Sequence, residues 1–108
     1  MTESFLQVTT TTDPQEHAQE LAAAVVKARL AACVQVTGPF QSTYWWKDEI
    51  EISQEWMCVM KTTATRYPAL EEFIKSNHSY ETPEIVASVI SVGSEEYLEW
   101  ISTEAAER

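Results

Sequence analysis

The stretch QSTYWWKDEIEISQEWMCVMKT, Gln41 to Thr62, decides the fold. It carries two runs rich in aromatic and β-branched residues, divided by Lys47-Asp48. Such runs favour pleated strands, and aspartate tolerates the left-handed backbone a tight turn needs. The reading is a long hairpin, Gln41 to Trp46 returning as Ile50 to Thr62. Upstream, Ala32 to Val36 is the start of the first arm. Gly38-Pro39 interrupts it and predicts a bend or bulge.

The segments on either side are helical. Ala18, Leu21, Ala22, Val25 and Ala28 recur at helical spacing. Asp13 is the expected N-cap, with Pro14 at the first helical position and Glu16 as a capping-box acid. The helix is expected to run to about Leu30. Ser4 to Thr11 precedes it as a strand. After the hairpin, Pro68 opens a second helix with Leu70, Phe73 and Ile74 on one face, ending near Asn77. A loop from His78 to Pro83 leads into a strand, Ile85 to Val92, stopped by Gly93. Ser94 caps a short third helix with Tyr97, Leu98 and Ile101 on its apolar side. The order βαββαβ plus a C-terminal helix is the α+β, ferredoxin-like split βαβ sandwich. Its expected product is one domain over residues 1–108, a four-stranded sheet with both long helices on one face.

Two strands lack the alternation expected when one sheet face meets water. Trp56 to Met60 is apolar at every position, and Ile85 to Val92 nearly so. Few elements remain to cover a second face, and monomers seldom expose a large apolar patch. Another subunit is the simplest cover. Tyr44, Trp45, Trp46 and Trp56 concentrate aromatics along the hairpin, as interface cores do.

The formal charge of -10, from 17 acidic and 7 basic residues, repels phosphate backbones and anionic membranes. Nucleic-acid and membrane partners are excluded on that ground, whereas cations are attracted. Cys33 and Cys58 form no CxxC pair and sit in apolar runs, so both are read as inert reduced thiols. With two glycines, Gly38 and Gly93, there is no GxGxxG or P-loop. No stretch is long enough to span a bilayer. The N-terminal sequence has no signal-peptide pattern, so the expected location is cytoplasmic.

Five segments then resemble one family. They are Ala28-Arg29-Leu30-Ala31-Ala32-Cys33-Val34, Ser42-Thr43-Tyr44-Trp45-Trp46, Lys61-Thr62, His78-Ser79-Tyr80-Glu81-Thr82-Pro83-Glu84-Ile85, and Tyr97-Leu98-Glu99-Trp100-Ile101. In this order the chain resembles the CutA family of divalent-cation tolerance proteins. The resemblance implies a ferredoxin-like subunit in a tight homotrimer, with sheets packed inward and hairpin arms joining neighbours. It implies a non-enzymatic role in tolerance of divalent cations, Cu²⁺ above all. It also implies kinship of architecture with the PII trimers, which bind small ligands between subunits. That kinship supplies the alternative function, a small-molecule sensor with an inter-subunit ligand site.

The resemblance points to copper ligands at a cysteine late in the first strand and at two adjacent histidines. Here those positions hold Thr10 and Asn77-His78, so one thiolate and one imidazole are missing, and copper prefers such donors. His78, with Glu81 and Glu84, is the remaining metal set for a weakly bound Cu²⁺. The plainer reading makes His78 a loop residue that hydrogen-bonds the turn after it. His17, among polar residues, is expected to be solvated. Trp46, Glu55, Lys61, Tyr80 and Glu84 are a second set, expected to meet in an inter-subunit cleft. There a Lys-Glu pair could equally fix register between subunits. An enzyme built on Tyr80, Glu84 and Lys61 is a third possibility, without a recognisable nucleophile motif.

Overall fold

The computed structural model describes residues 3–108. Its elements are β1 (Phe5–Thr12), α1 (Gln15–Lys27), β2 (Cys33–Trp46), β3 (Glu49–Thr63), α2 (Tyr67–Asn77), β4 (Val86–Val89) and α3 (Glu95–Glu104). The sheet order is β2-β3-β1-β4 with every pair antiparallel, which is the expected ferredoxin-like arrangement. No helix among the described residues is long and apolar enough to cross a membrane.

Period-2 alternation sorts the strands onto two faces. Val8, Cys58 and Met60 are fully buried beneath Ala18, Leu21 and Val25 of α1 and Leu70 and Ile74 of α2. These helical residues recur three or four apart, so each helix lays one stripe on the sheet. The long helices therefore share one face, as expected. Phe5, of opposite parity to Val8, joins Ala32, Leu98, Ile101 and Ala105 in a smaller cluster on the other face. α3 thus covers one end of that face. Along the rest of it Met57 and Val59 are only half-buried.

Three boundaries differ from expectation. Asp13 is not the N-cap of α1; Pro14 is, in an extended conformation with no side-chain cap. The first turn closes on the Pro14 carbonyl, which accepts from His17 N and Ala18 N at 3.0 and 3.3 Å. α1 ends at Lys27 rather than Leu30, because Arg29 turns left-handed at φ 62. Arg29 N–H donates to Val26 O at 3.0 Å and Leu30 N–H to Val25 O at 3.1 Å. This is a Schellman closure, with Leu30 packing back into the core that holds Val25. β4 stops at Val89, three residues short of the expected Val92, with one more backbone bond from Ile90 N–H to Phe5 O. It ends there because its partner strand begins at Phe5.

The hairpin follows the sequence closely. Lys47 and Asp48 both take positive φ, 51 and 66, as a two-residue turn matched to strand twist requires. Thr37 pairs Met57 and Phe40 pairs Glu55, so Gly38 and Pro39 stand against Trp56 alone in a bulge. Gly38 sits at φ 148, and a Cβ there would lie 2.7 Å from Trp56 Cδ1. Pairing of β3 with β1 ends at Thr12–Trp56. The pairs from Phe40–Glu55 to Trp46–Glu49 therefore project as a two-stranded arm.

Thr10, the position where the resemblance implies a cysteine, is fully buried opposite Cys58. Among the described residues its Oγ1 has no hydrogen-bond partner. A buried hydroxyl without a partner costs about 1–3 kcal/mol relative to an apolar group of the same shape. Thr10→Val is therefore expected to raise the urea midpoint; a lower midpoint would show that the hydroxyl is satisfied.

Candidate functional site

The loop after α2 is tied down where β1 ends. His78 Nε2–H donates to the Thr11 carbonyl at 2.8 Å, and Tyr80 N–H donates to His78 Nδ1 at 3.0 Å. Both ring nitrogens are thus committed, and the acceptor role of Nδ1 fixes the neutral tautomer. His17 is a second brace rather than a solvated side chain. Its Nε2–H donates to the Asn77 carbonyl at 3.0 Å, and its Nδ1 accepts from the Thr12 hydroxyl at 2.6 Å. The His17 and His78 rings meet edge to face at 5.7 Å, and the Tyr80 ring lies 4.7 Å from His78. Asn77, the other replaced position, spends its side-chain amide on the Phe73 carbonyl at 2.8 Å.

Tyr80 carries this chain of contacts to the base of the arm. Its Oη donates to Glu55 Oε2 at 2.7 Å. Glu55 is 5% exposed, the one acidic residue among the buried polar side chains of the described residues. Burial, and then the Glu55 carboxylate, push the Tyr80 phenol above its usual range, so it remains a donor.

Around this bond lies a cleft of about 590 Å³, a size typical of small-molecule sites. The arm contributes Ser42, Thr43, Tyr44, Trp46, Ser53 and Glu55; the loop contributes Tyr80, Glu81, Thr82 and Glu84; Thr11 and Asp13 close it. Tyr44 and Trp46 share an arm face with Ser53 and Glu55 by register. Four carboxylates and three aromatic rings line the cleft, with no lysine, arginine or histidine among the lining residues.

The predicted residues divide accordingly. Trp46, Glu55, Tyr80, Glu81 and Glu84 are brought together. Within one chain Lys61 does not join them; it lies six positions beyond Glu55 on β3 and donates to Gln35 Oε1 at 2.8 Å. His78 stands behind Tyr80 and does not line the cleft. Asp13, Thr11, Tyr44 and Ser53 were not predicted; the hairpin register was the signal for Tyr44 and Ser53. No group of three or more His, Cys, Asp or Glu side chains among the described residues is placed to hold a metal ion. Thr10 is sealed in the core, and both His78 nitrogens are engaged. Within one chain these residues do not fit a copper centre of soft donors. Cys58 is likewise buried, and burial pushes its thiol up to about 11, as an inert core cysteine.

His78 makes the fold pH-dependent. Burial holds its imidazole below the ordinary 6.5, against the pull of the Thr11 carbonyl; His17 lowers it further, while Glu55 and Asp13 oppose. The folded chain therefore binds fewer protons here than the unfolded chain. This contribution is complete above 6.5 and is lost as pH falls through the folded value. Urea midpoints are expected to drop from about pH 7 to about pH 5, and less steeply in His78→Gln. Equal slopes would show that His78 does not carry the effect.

Residues 6–104 match the family described as CutA1 divalent ion tolerance protein. The chain is 42% identical over 91 residues to the divalent-cation tolerance protein CutA of Thermus thermophilus, covering 84% of this chain and 88% of that one. It is 34% identical over 93 residues to the chloroplastic protein CutA 1 of Oryza sativa, covering 86% of this chain and 52% of that one. Against the protein CutA of Homo sapiens the identity is 42% over 84 residues, covering 78% and 47%. The chain thus spans about half the length of these last two relatives. The solved divalent cation tolerance protein from Thermus thermophilus superposes with TM-score 0.90 at 39% identity, covering 93% of this chain and 97% of that one. CutA1 from Oryza sativa superposes with TM-score 0.93 at 32% identity, covering 97% and 96%.

Proposed function

We propose that this chain, which belongs to the CutA1 divalent ion tolerance family, works as a non-enzymatic, homotrimeric cation-binding protein. The observation that carries this reading is the cleft at the base of the arm, with four carboxylates and no basic residue in its lining. Such a cleft concentrates cations and repels anions, and a chain charge of -10 extends that field.

The trimer is supported by what one copy leaves uncovered. An isolated two-stranded hairpin is marginal in water, yet this arm projects with Trp45 72%, Ile50 60% and Ile52 61% exposed. By register these three share one side of it. β4 is an edge strand with Val86 and Val89 exposed, and Trp100 on α3 is 42% exposed. Neighbouring copies would cover these surfaces with their own arms and sheets. The free thiols Cys33 and Cys58 support a reducing, cytoplasmic setting.

Divalent cations would meet Glu81 and Glu84 at the exposed lip of the cleft, as weakly held hard ions. His78 could join them only by releasing the Tyr80 N–H. Calorimetric titration of metal-stripped protein with Mg²⁺ and Cu²⁺ tests this. Weak heats are expected, unchanged in His78→Ala and reduced in the double variant Glu81→Gln, Glu84→Gln. Tight Cu²⁺ binding at one ion per chain, lost in His78→Ala, would replace this reading with a histidine-based copper site.

A further inference from the structure

The cleft differs in kind from a metal-ion site. A divalent metal gathers about six oxygens within roughly 2.0–2.6 Å. No acidic cluster among the described residues converges in that way. The four carboxylates are instead spread over three supports: Asp13 beyond β1, Glu55 on the arm, and Glu81 and Glu84 on the loop. Between them stand the rings of Tyr44, Trp46 and Tyr80. A hydrated point charge leaves such walls without a partner.

Two further observations point to the ligand. Glu55 is 5% exposed, yet its one hydrogen bond among the described residues is to Tyr80, on Oε2; Oε1 takes none. Unlike Thr10 Oγ1, this oxygen is not sealed from solvent, and on a cleft-lining residue it is open to a donor on a ligand. The second is at Trp46, where the chain's own Lys47 ammonium stands 5.7 Å from the ring centroid. That indole already receives an alkylammonium group, within the range of a cation–π contact.

We infer that the cleft binds an elongated organic polycation, a linear polyamine, with its ammonium groups on the dispersed carboxylates and its alkyl segments against Tyr44, Trp46 and Tyr80. Each part of such a molecule has a counterpart. Ammonium groups strung along a chain match carboxylates set apart, methylene segments match aromatic faces, and a terminal N–H donor suits Glu55 Oε1. The hydroxyls of Ser42, Ser53 and Thr82 offer acceptors between them. Phosphorylated or carboxylated metabolites are repelled by the same walls. The inference deepens the cation-binding reading of the cleft and rests on it.

The test is calorimetric titration of the full chain at fixed ionic strength with spermidine, putrescine and Mg²⁺ in parallel. Spermidine is expected to saturate at one per cleft and to bind about tenfold more tightly than putrescine, which has one fewer charge. Glu81→Gln with Glu84→Gln should weaken it about tenfold, and Tyr44→Leu several-fold through the lost ring face. Glu81 and Glu84 are exposed and Tyr44 is 41% exposed, so the variants should keep their melting curves. Spermidine heats that are absent up to millimolar concentration, or unchanged by both variants, would overturn the inference. If Mg²⁺ heats persist in those samples while spermidine gives none, the polyamine falls and the cation-binding reading stands. Loss of both removes both.

Discussion

A chain carrying Trp45→Glu and Ile52→Glu is expected to sediment as a monomer, with the amides of its arm exchanging rapidly. Both side chains lie on one side of the arm by register, and both are largely exposed in a single copy. Their burial would come from neighbours, worth roughly 1.5–3 kcal/mol for the isoleucine side chain alone. Glutamate removes that gain and places an unpaired carboxylate where the partner surface is apolar, at a cost of several kcal/mol per copy. Symmetry repeats the penalty at every interface. The body of the sheet should survive, since Val8, Cys58, Met60, Leu70 and Ile74 are buried within one chain. Hydrogen exchange would separate the two outcomes: lost protection over residues 40–55 with an intact core is expected. An unchanged oligomer would mean that this side of the arm faces water.

Tyr80→Phe is expected to cost about 1.5–3 kcal/mol, although it removes a single oxygen. The phenol is the only donor to Glu55 among the described residues, and Glu55 is buried at the base of the arm. Without it Oε2 of a 5% exposed side chain loses its partner, the expensive half of the asymmetry between making and losing a hydrogen bond. Urea unfolding of Tyr80→Phe, Glu55→Leu and the double variant checks this. The double variant should recover much of the loss, because both polar groups then go together. A Tyr80→Phe midpoint equal to that of the unchanged chain would show that water supports Glu55 adequately.

Local features of the sequence foretold most of the fold. Helical spacing from Ala18 to Val25 located α1, and Lys47-Asp48 located a turn whose residues do take positive φ. Gly38-Pro39 marked the bulge because few other residues fit against Trp56 there. What escaped was set by partners distant in the chain. β4 ends where β1 begins, which its own apolar run through Val92 does not record. Asp13 looked like a cap by type and position, but the adjacent Pro14 takes the cap geometry and leaves Asp13 to line the cleft. His17 looked solvated from its helical neighbours. Its partner carbonyl belongs to Asn77, 60 residues away.

The candidate site was legible in the same measure. Trp46, Glu55, Tyr80 and Glu84 are grouped in the sequence as facing a cleft between subunits; one chain by itself brings them together at the base of the arm. Lys61, grouped with them as part of the hairpin, sits further along β3 within one chain, bonded to Gln35. Period-2 parity excludes nothing there, since Lys61 and Glu55 share a face; only the distance along the strand separates them. His78 was singled out as an imidazole near carboxylates. Its hydrogen bonds make it the strut that sets Tyr80 over Glu55.

The proposed assembly of arms and sheet faces is tested most directly by sedimentation equilibrium of the unmodified chain. A single species of three chain masses is expected, unchanged on dilution through the micromolar range. A monomer throughout that range would contradict it, since the arm and the apolar residues beside it would then stand in water without cover.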